Sequence, residues 1–266
     1  AYDGTSFLTW FGPGRFADKP TYRGSDPSGF NSYHVFVAEG RPFLVLLTDW
    51  RMDASELAWA RGVLDAHPRV PTILVSHQIL TAGDGSFLPP VNTPVETSNG
   101  ALLWSELIEE HDQVFLTLNG HHCTSAWRTA PNGAGNDVLQ VLTDYQCAFA
   151  NGGGYLLEVE IDADAGRITG RTHSPWLAEA RSDPGYTFPL PESVVPTEIT
   201  VPSASFSVAM DFDERFCASL EACGLAEPLP RVVPMMPLAA GAILAVALAW
   251  IGARARRLRL PLRGGD

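Results

Sequence analysis

Two apolar runs in this chain end on histidine, and two imidazoles brought together are candidate metal ligands. Thr72-Ile73-Leu74-Val75-Ser76 leads into His77, and Val114-Phe115-Leu116-Thr117-Leu118-Asn119-Gly120 leads into His121-His122-Cys123. Short runs of apolar and β-branched residues suit strands covered on both faces. In open α/β sheets ligands bind beyond the carboxyl ends of strands. Parallel neighbours would therefore point His77 and His121 into one crevice. Neutral imidazole is a common ligand for divalent transition metals. Gly120 is placed to let the backbone turn sharply, or come close to a ligand, where the imidazoles begin. One strand-end histidine is more often a hydrogen-bonded surface or core residue. A second, set in Gly-His-His-Cys, makes a metal site an equal reading.

The surrounding pattern supplies elements to position these residues. Asn31 to Ala38 and Pro42 to Asp49 read as strands joined by the hairpin Glu39-Gly40-Arg41. Asp53 to Ala66 reads as a helix, with Asp53 and Glu56 spaced for a capping box and Leu57, Ala60, Val63 and Leu64 on one face. The His77 strand follows, so this is a strand–helix–strand unit and implies a parallel pair. Residues 79–100 read as a long loop. Ala101 to His111 reads as a second helix, and the His121 strand completes a second crossover. Further strands are expected at Ala126 to Thr129, Val138 to Asp144, Tyr155 to Ile161 and Arg167 to His173. In the third of these Leu157, Val159 and Ile161 alternate with glutamates, giving one buried face. Residues 1–30, rich in Gly, Pro and Asp, read as irregular loop.

The composition narrows the class of partner. The chain has 266 residues, a net charge of −12 and a pI near 4.9. That balance opposes a nucleic-acid partner, which needs clustered lysine and arginine. The one basic cluster is Arg254, Arg256, Arg257, Arg259 and Arg263. It follows Val232 to Ala253, a span without charged residues and long enough for a helix to cross a bilayer. With the arginines on the cytoplasmic side, the acidic body lies outside the cytoplasm. Residues 176–231, rich in Pro, Ser and acidic residues, read as an extended stalk, although Ser205-Phe206-Ser207-Val208 has strand character. The organisation expected is a domain over 1–175, a stalk over 176–231, a transmembrane helix over 232–253 and a cytoplasmic tail over 254–266. Four cysteines are too few for a disulfide scaffold. Cys217 and Cys223 are close enough to pair in an oxidising compartment, and two free thiols is an equal reading.

The middle of the chain resembles the C-terminal half of calcineurin-like metallophosphoesterases. Ser76-His77, Asn119-Gly120-His121-His122-Cys123, Leu142-Thr143-Asp144-Tyr145-Gln146 and the glycine run Gly152-Gly153-Gly154-Tyr155 carry the resemblance. Phe11-Gly12-Pro13 and Asn31-Ser32-Tyr33 are similar to the secreted bacterial branch of that family, and coverage is roughly residues 5–175. The resemblance implies an α/β (α+β) fold built on a metallophosphoesterase-type β-sandwich flanked by helices. It also implies two metal ions (Zn, Mn or Fe) bridged by a carboxylate. His77 and His121 would ligate one ion. The family's second histidine, two positions after the first, is here Cys123, whose thiolate could serve, or His122 could take its place by a local shift. Asn119 and Tyr145 would border a substrate pocket. The family's upstream motifs, Asp-x-His, Gly-Asp and Gly-Asn-His, which supply the bridging Asp and the catalytic His, have no counterpart in place ahead of His77. The N-terminal half of such a domain is thus expected to be missing from this chain, which as it stands is expected to be inactive, the activity belonging to the full-length protein. The C-terminus is similar to bacterial tripartite sorting tails, with Val233-Pro234-Met235-Met236-Pro237 at the start of the apolar span, which makes a sorting protease a candidate partner. The expected function is hydrolysis of phosphate mono- or diesters by a membrane-anchored protein whose catalytic domain faces the periplasm or exterior. The alternative is an inactive surface-anchored binding or structural domain.

Overall fold

The structure is a computed structural model that describes residues 5–82, 94–186, 195–225 and 243–244. It begins with two short helices, α1 (Thr5–Phe11) and α2 (Pro13–Phe16), then strands β1 (Tyr22–Ser25), β2 (Ser32–Ala38) and β3 (Arg41–Thr48). Helix α3 (Ala54–Ala66) leads to β4 (Thr72–Ser76), the short strands β5 (Leu80–Thr81) and β6 (Val95–Glu96), and α4 (Ser98–Leu103). Next come β7 (Val114–Asn119), β8 (Ser125–Pro131), β9 (Asp137–Thr143), α5 (Phe149–Gly152), β10 (Leu156–Asp162) and β11 (Arg167–His173). The remainder comprises α6 (Pro175–Ser182), β12 (Glu198–Ile199), β13 (Ser205–Ala209), α7 (Phe212–Arg215) and β14 (Ile243–Leu244).

The fold is mixed α/β. Its main sheet has seven strands in the order β1-β2-β3-β4-β7-β9-β8. The central run β3-β4-β7-β9 is parallel throughout, and antiparallel strands flank it on both sides. A second sheet is built on β10 and β11, with β12 and β13 along the far edge of β11 and β14 against β10.

Strand alternation explains how the main sheet is covered. Along β3, Leu44 and Leu46 join α3's Leu57, Ala60, Val63 and Leu64 in one core, together with Leu103 and Leu107. On the opposite face Phe43, Ile73, Val75, Phe115 and Val141 meet Val159, Ile161 and Ile168 of the second sheet. Both faces of the parallel strands are dry, so β4 and β7 are buried at every position, as their continuous apolar sequences require. The capping box expected at Asp53 is present: its carboxylate accepts from the amides of Ser55 and Glu56, and Glu56 reaches back to the amide of Asp53.

The structure departs from expectation in three places. The irregular opening is partly regular: Phe7 of α1 stacks on Phe30 at 5.4 Å, and aromatic packing organises a stretch whose Gly and Pro content suggests loop. The second helix starts at Ser98, not Ala101. Thr97 caps it by accepting from Gly100 N at 3.0 Å, and after Leu103 it widens into a π-helical turn over Trp104–Ile108. Gly100 sits so close to the Ile79 carbonyl that a Cβ there would lie 2.1 Å from its oxygen. The 176–231 segment is not a free stalk over its described part. Strand β13 pairs with β11 over Arg167–Arg171, and Phe206, Phe212 and Phe216 are buried in the core between the sheets. The proline-rich composition concealed this, because these three aromatics are widely spaced. Of the expected transmembrane segment over 232–253, only Ile243–Leu244 is described, and the rest lies outside the described residues, as does the tail over 254–266. Among the described residues no helix is long and apolar enough to cross a membrane.

The packing of residues 205–217 has a measurable consequence. Phe212→Ala removes a side chain that is 1% exposed and should destabilise the protein by about 3–5 kcal/mol. Urea denaturation would show it as a fall in midpoint. An unchanged midpoint would mean that this segment hangs free.

Candidate functional site

The parallel run puts the carboxyl ends of β3, β4, β7 and β9 on one edge of the main sheet. Each is followed at once by polar residues: Asp49-Trp50 after β3, His77-Gln78 after β4, Gly120-His121-His122 after β7 and Asp144 after β9. His77 and His121 do come together. His77 Nε2 lies 2.8 Å from His121 Nδ1, and their rings are 4.6 Å apart. One nitrogen of such a contact donates and the other accepts. The Trp50 ring lies against both imidazoles, at 4.9 Å from His77 and 5.1 Å from His121. The Arg51 guanidinium lies over the Trp50 ring at 4.3 Å, a cation–π contact that pins the indole.

The electrostatics favour neutral imidazole. Burial lowers the pKa of His77, the neighbouring His121 lowers it further, and the carboxylates of Asp144 and Asp49 partly oppose this. His122 is also lowered, first by burial and then by His121, with Asp144 opposing. Asp49 is shifted upward, chiefly by burial. Asp49 and Asp144 thus join the site. In sequence each closes an expected strand, and the structure places each immediately beyond the strand end, at Thr48 and Thr143.

The turn that presents the histidines is made at His121 itself. His121 has φ +71°, a left-handed conformation uncommon for a non-glycine residue and of the kind that gathers at functional sites. Gly120 does not adopt it, contrary to expectation, and a Cβ at Gly120 would meet only ordinary contacts. Two tight backbone bonds follow, His122 N to Gly120 O at 3.0 Å and Thr124 N to His122 O at 2.6 Å.

Cys123 corrects the expected ligand set. It is bonded to Cys147 in a disulfide and so carries no thiolate. The bond ties the His121–His122 turn to the loop after Asp144. Cys147, three residues past Asp144, was the overlooked partner. Cys217 and Cys223 form the second disulfide, as their proximity allowed. The alternative ligand His122 has its Nε2 2.9 Å from the Gln78 side-chain nitrogen.

Asn119 and Tyr145 are also displaced from the roles assigned to them. Asn119 is buried and clamps the chain beyond His77: its Oδ1 accepts from Leu80 N at 3.1 Å, and its Nδ2 donates to Leu80 O at 3.2 Å and Gly120 O at 3.0 Å. It fixes the His77 and His121 loops relative to each other. Tyr145 is buried behind the site, with its hydroxyl hydrogen-bonded to Thr172 Oγ1 at 2.5 Å. Asn31, part of the family-like Asn31-Ser32-Tyr33, has a comparable positioning part, accepting from Asp49 N at 2.7 Å.

The fit to a metal is partial. Two imidazole nitrogens converge, and separating them to about 3.3 Å would admit an ion roughly 2.0–2.1 Å from each. Among the described residues, no group of three or more His, Cys, Asp or Glu is arranged to hold a metal. Contrary to the expectation of no Asp-x-His ahead of His77, Asp65-Ala66-His67 has that spelling, but it closes α3 at the opposite edge, where His67 Nδ1 meets Val63 O at 2.7 Å.

No protein-family model matches the chain. It is similar to an uncharacterized protein of Bacillus subtilis (strain 168), YvnB, with 27% identity over 181 residues. That alignment takes in 65% of this chain and 13% of the longer protein, so the chain spans a small part of that relative's length.

Two outcomes follow. Peptide mapping without reduction should recover a Cys123–Cys147 crosslink, and a free thiol at Cys123 would restore it to the ligand candidates. Asn119→Ala would leave the Leu80 amide and carbonyl without these partners, at a cost of about 1–3 kcal/mol. Hydrogen exchange should show the Leu80 amide opening faster, and unchanged protection would remove Asn119 from its positioning role.

Proposed function

We propose that the chain carries one wall of a metal-dependent phosphoester-hydrolase centre, with His77 and His121 ligating one divalent or trivalent ion such as Zn, Mn or Fe. The observation that carries this reading is the 2.8 Å approach of two imidazoles at the carboxyl edge of a parallel sheet, one of them, His77, with its pKa lowered chiefly by burial. The sheet order, the helix-covered face and the second sheet suit the metallophosphoesterase resemblance. In that family the remaining donors come from motifs ahead of the His77 strand. A metal bound there would polarise a phosphoryl oxygen and acidify a bound water. The chain's own residues hold the two ligand nitrogens in register through Asn119, screen one side with Trp50 and place the Asp49 and Asp144 carboxylates beside the imidazoles. The substrate is a phosphate mono- or diester.

The two disulfides support a location outside the cytoplasm, where such bonds persist. The apolar span 232–253 and its arginine flank support a single-pass anchor in the bilayer, whether retained or removed by a sorting protease. One observation favours the alternative of a non-catalytic surface domain: the disulfide takes Cys123 out of the position of the family's second-metal ligand. A second ion would then need other donors, or be absent.

Metal analysis separates the readings. The purified protein, equilibrated with Zn²⁺ or Mn²⁺ and desalted, should retain metal. His77→Ala and His121→Ala should lose it, while His67→Ala should retain it. Hydrolysis of p-nitrophenyl phosphate or bis-p-nitrophenyl phosphate is expected only from protein that also carries the remaining donors, and there it should follow the metal. Metal retention indifferent to His77 and His121 would sink the proposal, and so would protein that binds none.

A further inference from the structure

A hydrogen-bonded relay crosses the site from Trp50 through Gln78 to His122, joining the ends of β3, β4 and β7. The Trp50 indole Nε1–H donates to Gln78 Oε1 at 3.0 Å, and Gln78 Nε2 lies 2.9 Å from His122 Nε2. Indole nitrogen is a donor only, which settles the orientation of the Gln78 amide: oxygen towards Trp50, nitrogen towards His122. The amide nitrogen has only hydrogens to offer, so His122 Nε2 must accept and carries no proton. A neutral His122 then holds its proton on Nδ1. Turning the amide over would set two donors against each other at Trp50. Both anchors are themselves held, since Arg51 covers the Trp50 ring and Asn99 Nδ2 donates to the Gln78 carbonyl at 2.7 Å.

We propose that Trp50 and Gln78 are positioning residues that lock His122 in its Nδ1–H tautomer, so that His122 acts as a hydrogen-bond donor to an oxyanion of the phosphate ester and not as a metal ligand. The substrate class rests on the function proposed above, whereas the tautomer rests only on the relay. His122 has no free lone pair on either nitrogen: Nε2 is engaged by Gln78, and Nδ1 bears the hydrogen. That hydrogen has no acceptor among the described residues and is the one polar hydrogen of the ring available to a ligand. Adjacent histidines are thereby given different work, His121 offering a lone pair and His122 a proton-bearing nitrogen.

Long-range ¹H–¹⁵N spectra of the imidazoles test the lock, and inorganic phosphate tests the donor. In the unsubstituted protein His122 should show a protonated Nδ1 and a bare Nε2. Gln78→Glu puts an acceptor opposite Nε2 and should move the proton to Nε2, while Trp50→Phe should give a mixture of tautomers. Phosphate added to the zinc-loaded protein should perturb the Nδ1–H signal, and Gln78→Glu should weaken phosphate binding roughly tenfold with zinc content unchanged. A protonated Nε2 in the unsubstituted protein, or a Gln78→Glu protein with an unmoved proton, would overturn the lock. Loss of zinc in His122→Ala, or an Nδ1 signal indifferent to phosphate, would overturn the donor role. Absence of zinc from every variant would fail the hydrolase reading while leaving the tautomer result standing.

Discussion

The site depends on one constraint, the parallel pairing of β3, β4, β7 and β9. Parallel strands end at the same edge, and everything polar in the site is a residue placed immediately beyond such an end. Had β4 and β7 paired antiparallel, His77 and His121 would lie at opposite edges. The pairing is enforced by burial on both faces, because helices cover one side and the second sheet the other. Residues that look like surface chemistry in sequence are therefore carried by the most rigid part of the molecule. The loops need only be short and fastened, which is the part played by Asn119 and Asn31.

The fastening of the His121–His122 turn is chemical as well as steric. A position where the resemblance implies a metal ligand instead carries half of a covalent tie to the loop after Asp144. Oxidation and metal coordination compete for the same sulfur, and here the bond takes it. The turn therefore keeps its strained residue at His121 under a crosslink and not under a second ion.

Much of the fold was legible because its signals are local. The alternating and continuous apolar runs, the Asp53 capping box and the strand–helix–strand order all depend on residues near one another, and each has its counterpart in the structure. The convergence of His77 and His121 was legible for the same reason, as two strand ends in a parallel arrangement. The rest was set by contacts remote in sequence. Cys123 looks like a ligand until Cys147 is brought beside it. Asn119 and Tyr145 look like pocket residues until Leu80 and Thr172 claim their polar atoms. Residues 205–217 look like stalk until their aromatics meet the inner faces of two sheets.

Arg215 gives that last segment a meaning in time. Its guanidinium donates to the carbonyls of Asp112 at 2.8 Å and Val114 at 2.9 Å, 103 and 101 residues earlier in the chain. It also donates to Asp137 at 2.6 Å, 78 residues earlier. It thus staples the ends of β7 and β9 opposite the candidate site. Contacts at such separations are late and slow to form, because loop closure precedes any gain from them. In a chain made from its N-terminus, the strands bearing the histidines emerge well before their staple. The histidine edge then has to assemble while the main sheet is still open at its base.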